Sequence, residues 1–374
     1  MEFYIKSSIF NKAIAEVSSV ITQKTTLPVL TGIKLTAEAD GLTLTGSNSE
    51  IIIYKKIPVM EVGDSPVTIQ KTGSIVLPAK YISQLVKKLH APVHLFVKDH
   101  FATLTSGDII TRMNGFDSLE YPNLPSLDGC ETISMDSKQL MEMIRQTVFA
   151  VSSNETRPVL NGVNIQFSQD EAVAVATNSH RLALRKQAIP TAKAVSCTIP
   201  SKALVELMKI TGTESPTINL YITEGHIAFE MEHTTLYARL IEGNYPDTEK
   251  LFPSEYKTSV TLNTLKLLQG IDRASLFASE WKHNNVRLSL KETGLKISST
   301  STEVGEISET QSIHELTGDK DLTIHIDGNF LMDALKQVQS EQVKVQFGGS
   351  MRPIVIQPVG DDTYLHLISP VRSY

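Results

Sequence analysis

The sequence predicts an α+β fold of three repeated domains, each with two helices packed on antiparallel sheets. Three observations carry that reading. Stretches of the chain recur in the same order at intervals of about 120–130 residues; each interval mixes short period-two strands with two helical patterns; and 374 residues suffice for two or three domains of roughly 150 residues. The expected domains are 1–127, 128–254 and 255–374.

Each repeat opens alike. EFYIKSSIFNKAIAEVSSVI from Glu2, ETISMDSKQLMEMIRQTVFAV from Glu131 and KTSVTLNTLKLLQGIDRASLF from Lys257 read as an alternating strand, a Ser, Asp or Asn suited to capping, and apolar residues at helical spacing. Leu140, Ile144 and Val148 fall four apart, on one helix face. LPVLTGIKL (27–35) then recurs as RPVLNGVNI (157–165), while the third copy keeps only a strand, NNVRLSL (284–290). Next, GLTLTGSNSEI, EAVAVATNSHRL and GLKISSTSTEV run alternating strands into ends rich in Ser, Thr and Asn.

A second strand-to-helix unit follows in IVLPAKYISQLVKKL, CTIPSKALVELMKI and IHIDGNFLMDALKQV, the first two sharing a Pro at the helix start. EYPNLPS (120–126) and NYPDTEKLFPS (244–254) close the first two repeats. The expected order in each repeat is therefore β-α-βββ-β-α-βββ, hairpin-linked and antiparallel, with both helices on one face.

Composition bounds the function. Hydrophobic residues at 41% and aromatics at 6% fit a folded chain. MEFYIKSSIF lacks the build of a signal peptide, and no apolar run approaches the ~18 residues that span a bilayer, so a cytoplasmic protein with no membrane role is expected. Cys130 and Cys197 have no CxxC spacing. P-loop, GxGxxG, HExxH and GxSxG patterns are missing, so no catalytic residue, metal or cofactor is expected. His180 beside Arg181 could be read as a general base, but no nucleophile stands at a telling spacing. His90 and His94 are separated by Pro92, which breaks the helix a metal pair needs.

The repeats together with ATNSHRLA (176–183), GNYPDTEKLFP (243–253) and LISPVRSY (367–374) resemble the bacterial DNA polymerase III β subunits, the replicative sliding clamps, over the whole chain. The resemblance implies a head-to-tail homodimer forming a ring of six similar domains around duplex DNA. It also implies a groove between the second and third domains for short peptides of the polymerase III α-type polymerase, the clamp loader, other DNA polymerases and repair proteins. The matching groove residues are Leu160, Thr177, His180, Arg181, Leu182, Pro246, Lys250, Leu251, Met351, Pro353, Leu367, Ile368, Ser369, Pro370, Val371 and Arg372. Aliphatic members of this set would take apolar side chains, and Arg181 and Arg372 the polar end. Leu276 and Phe277 are expected to face Thr111 to Met113 of a second copy.

Charge bears on the DNA reading. A total of −6 by itself argues against a nucleic-acid partner. The six expected helices (8–21, 79–90, 137–150, 201–211, 263–276, 328–339) nevertheless hold eleven Lys and Arg against five Asp and Glu, a balance of +6 that leaves −12 elsewhere. Lys12, Lys80, Lys87, Lys138, Arg145, Lys202, Lys209, Lys266 and Lys336 on the helices are the expected DNA-facing set, to which the resemblance adds Lys24 and Arg157 on loops that correspond to pore-side loops of the family. Such a lining meets phosphates without reading bases. The competing readings are a three-repeat peptide scaffold that ignores DNA, and an enzyme built on His180.

Overall fold

The computed structural model describes residues 1–60, 63, 65–127, 129–154, 156–190, 194–212, 216–253, 255–278, 285–303 and 305–371. The first repeat runs β1 (Glu2–Ile5), α1 (Ser7–Ser18), β2 (Gly32–Glu38), β3 (Gly41–Ser47), β4 (Ile51–Pro58), β5 (Val67–Lys71), β6 (Gly73–Pro78), α2 (Ala79–Val86), β7 (Val93–Lys98), β8 (Phe101–Ser106) and β9 (Ile109–Asn114). The second runs β10 (Glu131–Asp136), α3 (Ser137–Thr147), β11 (Gly162–Ser168), β12 (Glu171–Thr177), β13 (Arg181–Ala188), β14 (Val195–Pro200), α4 (Ser201–Ile210), β15 (Thr217–Ile222), β16 (His226–Met231) and β17 (Thr234–Arg239). The third runs β18 (Thr258–Asn263), α5 (Thr264–Ser275), β19 (Asn285–Lys291), β20 (Gly294–Ser301), β21 (Gly305–Gln311), β22 (Glu315–Gly318), β23 (Leu322–Asp327), α6 (Gly328–Leu335), β24 (Gln342–Phe347), β25 (Ile354–Pro358) and β26 (Tyr364–Ile368).

The second repeat follows the expected order. The first and third each add one strand, β5 or β22, which pairs with the opening strand of its own repeat. Their connecting segments are long enough to lay a further strand on a free sheet edge, and short strands of mixed polarity carry too little alternation to stand out in a sequence.

The helices begin where expected and several end early. After α2, the N–H of Lys88 donates to Leu85 and that of Leu89 to Val86; after α6, Gln337 donates to Ala334 and Val338 to Leu335. These three-residue closures tighten the last turn, so Lys87 and Lys336 sit at helix C-caps. Capping varies too. Asn263 caps α5 by accepting from the Lys266 N–H (2.9 Å) and Asp327 caps α6, but Lys6 at the start of α1 gives no side-chain cap.

All strand pairs are antiparallel among the described residues, in four sheets: β5-β1-β7-β8-β9, β10-β15-β16-β17-β4-β3-β2-β6, β14-β11-β12-β13-β26-β25-β24-β18-β22 and β21-β20-β19-β23. The two long sheets cross the repeat boundaries. β17 joins β4 with Leu236 opposite Ile53 and Ala238 opposite Ile51; β26 joins β13 with His366 opposite Ala183 and Ile368 opposite Arg181. The same joint is thus made twice, at equivalent residues.

Because of these joints the chain forms two compact units, 1–138 with 202–240 and 139–201 with 241–374, that cut through the second repeat. In the first unit α1 packs on α2, β3 and β4 through Phe10, Ala13, Ile14 and Val17. The approach is close enough that a Cβ on Gly46 of β3 would lie 2.1 Å from the Val17 carbonyl oxygen, so only glycine fits. In the second unit α5 packs on α6, β20 and β21, burying Leu267, Ile271 and Ala274. None of the described helices is long and apolar enough to cross a membrane.

Candidate functional site

Two turns of the same sequence type shape the surface. In GSNSEI the Asn48 Oδ1 accepts from the Glu50 and Ile51 N–H groups; in TNSHRL the Asn178 Oδ1 accepts from His180 (3.0 Å) and Arg181 (2.9 Å). Ser49 and Ser179 follow with φ of 75°, a left-handed conformation held by the flanking asparagine bonds. The second turn presents His180 to solvent and aims Arg181 back into the fold.

Beside this turn lies a cavity of about 800 Å³. Leu160, His180 and Arg181 of the expected groove line it, joined by Val151, Ser152, Ser153, Asn154, Thr156, Asn178, Ser179 and Phe330. Arg157, expected on the DNA side, also belongs to this wall. The aromatic Phe330 gave no sequence signal because it reads as one more apolar residue of α6. Asn178 and Ser179 could have been found from the matching Asn-Ser pair in the first repeat.

Arg181 is heavily engaged. Its Nη1 donates to Asp333 Oδ2 at 2.6 Å, and its Nη2 donates to the Phe149 carbonyl. The guanidinium also lies over two rings, 4.5 Å from the centroid of Phe330 and 5.3 Å from that of Phe149. Arg181 thus lines the cavity with two of its three nitrogens engaged within the fold.

The remaining groove residues divide by burial. Leu182 and Leu367 face each other across β13 and β26 and pack with Val175, Leu184 and Val355 against Tyr245, Phe252 and Tyr256. Leu160, Thr177 and Ile368 are also buried. Leu251 and Met351 stay 50% and 63% exposed, an apolar surface that a partner could cover. Pro246 and Lys250 are exposed and Pro353 is half-buried. The recurring Tyr-Pro explains part of the architecture. The Tyr245 hydroxyl accepts from the Thr177 N–H (3.1 Å) and the Tyr121 hydroxyl donates to the Thr45 carbonyl (3.3 Å), each tying its loop to a sheet. Burial pushes both phenols well above their usual range.

The chain end is tied to this surface. The Ser369 N–H donates to the His180 carbonyl and the Val371 N–H to the His325 carbonyl, both at 2.8 Å. Ser369, Pro370 and Val371 are half-buried; Arg372 lies outside the described residues. Beneath this region His366 is buried against Phe149 and bonded to the Tyr364 hydroxyl, and burial, with the Arg181 charge adding to it, lowers its pKa to about 3.

The other expected sets are elsewhere. Lys12, Lys24, Lys80, Lys87, Lys138, Arg145, Arg157, Lys202, Lys209, Lys266 and Lys336 are all exposed. Lys209 pairs with Glu206 at 2.7 Å. Thr111 and Met113 are half-buried on β9, and Leu276, at the C-cap of α5, is 75% exposed beside a half-buried Phe277. Sequence reasoning missed Ile109 and Ile110 on the same strand, 45% and 74% exposed. Their signal was an apolar doublet where the second repeat has Thr234 and Thr235.

Comparison with known proteins is consistent along the whole chain. Family models described as the N-terminal, central and C-terminal domains of the DNA polymerase III beta subunit match residues 1–125, 134–247 and 249–372. A protein named beta sliding clamp from Bacillus subtilis (strain 168) is 41% identical over 379 aligned positions covering all of both chains. The crystal structure of a DNA polymerase sliding clamp from Bacillus subtilis superposes with a TM-score of 0.97 at 40% identity, again covering both chains fully. That of a DNA polymerase beta subunit from Streptococcus pyogenes does so with a TM-score of 0.95 at 32% identity and the same full coverage.

Proposed function

The chain belongs to the DNA polymerase III β-subunit family, the sliding clamps, and from that premise we propose that two copies join head to tail into a closed ring. The ring encircles duplex DNA in the bacterial cytoplasm and tethers the replicative polymerase for processive synthesis. One observation carries the closure. The joint made within the chain by β4 with β17 and by β13 with β26 has a third pair of matching halves, β21 and β9, and each of these ends its sheet among the described residues.

Register follows from the repeats. Ile53 and Leu236 oppose each other in the first joint; their counterparts are Ile307, which faces Ser299 as Ile53 faces Gly46, and Thr111, which faces Leu104 as Leu236 faces Phe229. The proposed contact therefore sets Thr111 opposite Ile307 of the partner subunit and Arg112 opposite Glu306 of the partner subunit. Apolar Ile110 and complementary charge at the edge favour pairing over exposure. A head-to-tail contact made twice closes, leaving nothing to propagate.

The domains divide after residues 127 and 254 in this reading. The exposed lysines of the six helices supply diffuse attraction to phosphates, while retention is topological and needs little binding energy. The surface around Leu251, Met351, His180 and the chain end receives short peptides of the polymerase, the clamp loader and repair proteins. Retention on nicked circular DNA after loading, lost when the circle is linearised, tests the ring reading. Equal binding to linear and circular DNA would overturn it.

A further inference from the structure

The cavity beside His180 contains an arginine that is neutralised before any ligand arrives. Arg181 enters its wall from β13, and its partner Asp333 comes from α6, the helix that also supplies Phe330. The carboxylate is 39% exposed whereas the guanidinium side chain is only 12% exposed. The guanidinium lies over the Phe149 and Phe330 rings, and the Phe149 carbonyl takes a second nitrogen. The third nitrogen, Nε, is buried without a hydrogen-bond partner. Every feature fixes the cation in place, and its counter-charge sits on one exposed acid.

From this geometry we propose that Asp333 is a specificity-determining residue of the peptide site: by pairing with Arg181 it keeps the Arg181 side of the cavity from selecting anionic side chains, which leaves Arg157 as the wall's other arginine. The inference rests on the groove reading given above. Its physical basis is that a largely desolvated guanidinium attracts a carboxylate strongly when unpaired and weakly when already neutralised. Specificity then comes from an element that disfavours the wrong ligand as well as from contacts to the right one. Asp333 acts through Arg181 and does not itself line the cavity.

The test uses the full-length protein and two blocked peptides, Gly-Leu-Gly-Leu-Gly and Gly-Leu-Gly-Glu-Gly, followed by ligand-observed NMR titration at low salt. The unaltered protein should prefer the leucine peptide. Asp333→Asn should raise the affinity for the glutamate peptide relative to the leucine peptide on the order of tenfold, an increase lost at high salt. Asp333→Glu should restore the original preference. Adding Arg181→Met to Asp333→Asn should abolish the gain, which a merely structural role for Asp333 would not produce. An unchanged peptide ratio in Asp333→Asn, with both peptides still bound, overturns this inference alone. Failure of both peptides to bind either protein overturns the groove reading and this inference with it.

Discussion

Phe149 lies against His366 with ring centroids 5.3 Å apart and planes inclined by 43°. Phe149 follows α3, and His366 lies on β26 in the joint with β13. One repeat further along, the residue in the place of Phe149 is Leu276 after α5, and the counterpart of His366 on the first repeat's last strand is Thr111. The in-chain ring pair thus has the place that Leu276 takes against the partner's Thr111 in the proposed ring.

Leu276→Ala combined with Phe277→Ala should therefore give monomers. Leu276 is 75% exposed in one chain, so its truncation costs the chain little, while an apolar anchor at an interface centre contributes about 2 kcal/mol or more. Sedimentation equilibrium reads the outcome; an intact dimer would count against the contact.

The basic helices should matter less for retention than for encounter. Lys80→Ala with Lys266→Ala should weaken binding to linear DNA and lower the magnitude of the salt slope by up to ~0.9 per lysine that meets a phosphate. The residence time of the loaded ring on circular DNA should stay nearly unchanged. Rapid loss from circles would mean that binding energy, not topology, holds the protein.

Deleting Ser369–Tyr374 removes the donors to the His180 and His325 carbonyls. Each lost bond should cost about 1 kcal/mol locally, and binding of polymerase peptides should fall at least tenfold while the dimer persists. Isothermal titration with the polymerase reads it, and unaltered affinity would remove the chain end from the site.

His366 gives an acid-sensitive term. Its pKa in the fold is about 3, below the ordinary 6.5, so the unfolded chain binds a proton that the folded chain refuses between those values. The stability that this neutral imidazole contributes is complete above pH 6.5 and is lost as pH falls toward 3, at a limiting slope of about 1.4 kcal/mol per pH unit. His366→Gln should flatten the fall of Tm between pH 6.5 and 4. A variant with the original slope would assign the acid lability to other groups.

Much of this was legible in the residues. Strand–helix order came from the contrast between two-residue alternation and helical spacing, and the three-fold repeat came from phrases such as LPVLTG and RPVLNG. Lys12, Lys80 and Lys202 were legible as surface cations because they fall between the apolar positions of helices of known period, off the buried face. The partners of Arg181 were not. Phe149 comes from the end of α3 in the same repeat, while Phe330 and Asp333 belong to α6 and are brought to it by the strand joint between the second and third repeats; such long-range pairing leaves no local signature. The extra edge strands β5 and β22 were missed because a four- or five-residue strand has too few alternations to read.

The most direct test places Thr111→Cys and Ile307→Cys in one chain. After loading on nicked circular DNA and oxidation, the protein should be covalently closed, stay on the circle in denaturing detergent, and leave once the DNA is cut. Failure of the two cysteines to join, or release of the oxidised protein from an intact circle in detergent, would contradict the closed-ring account.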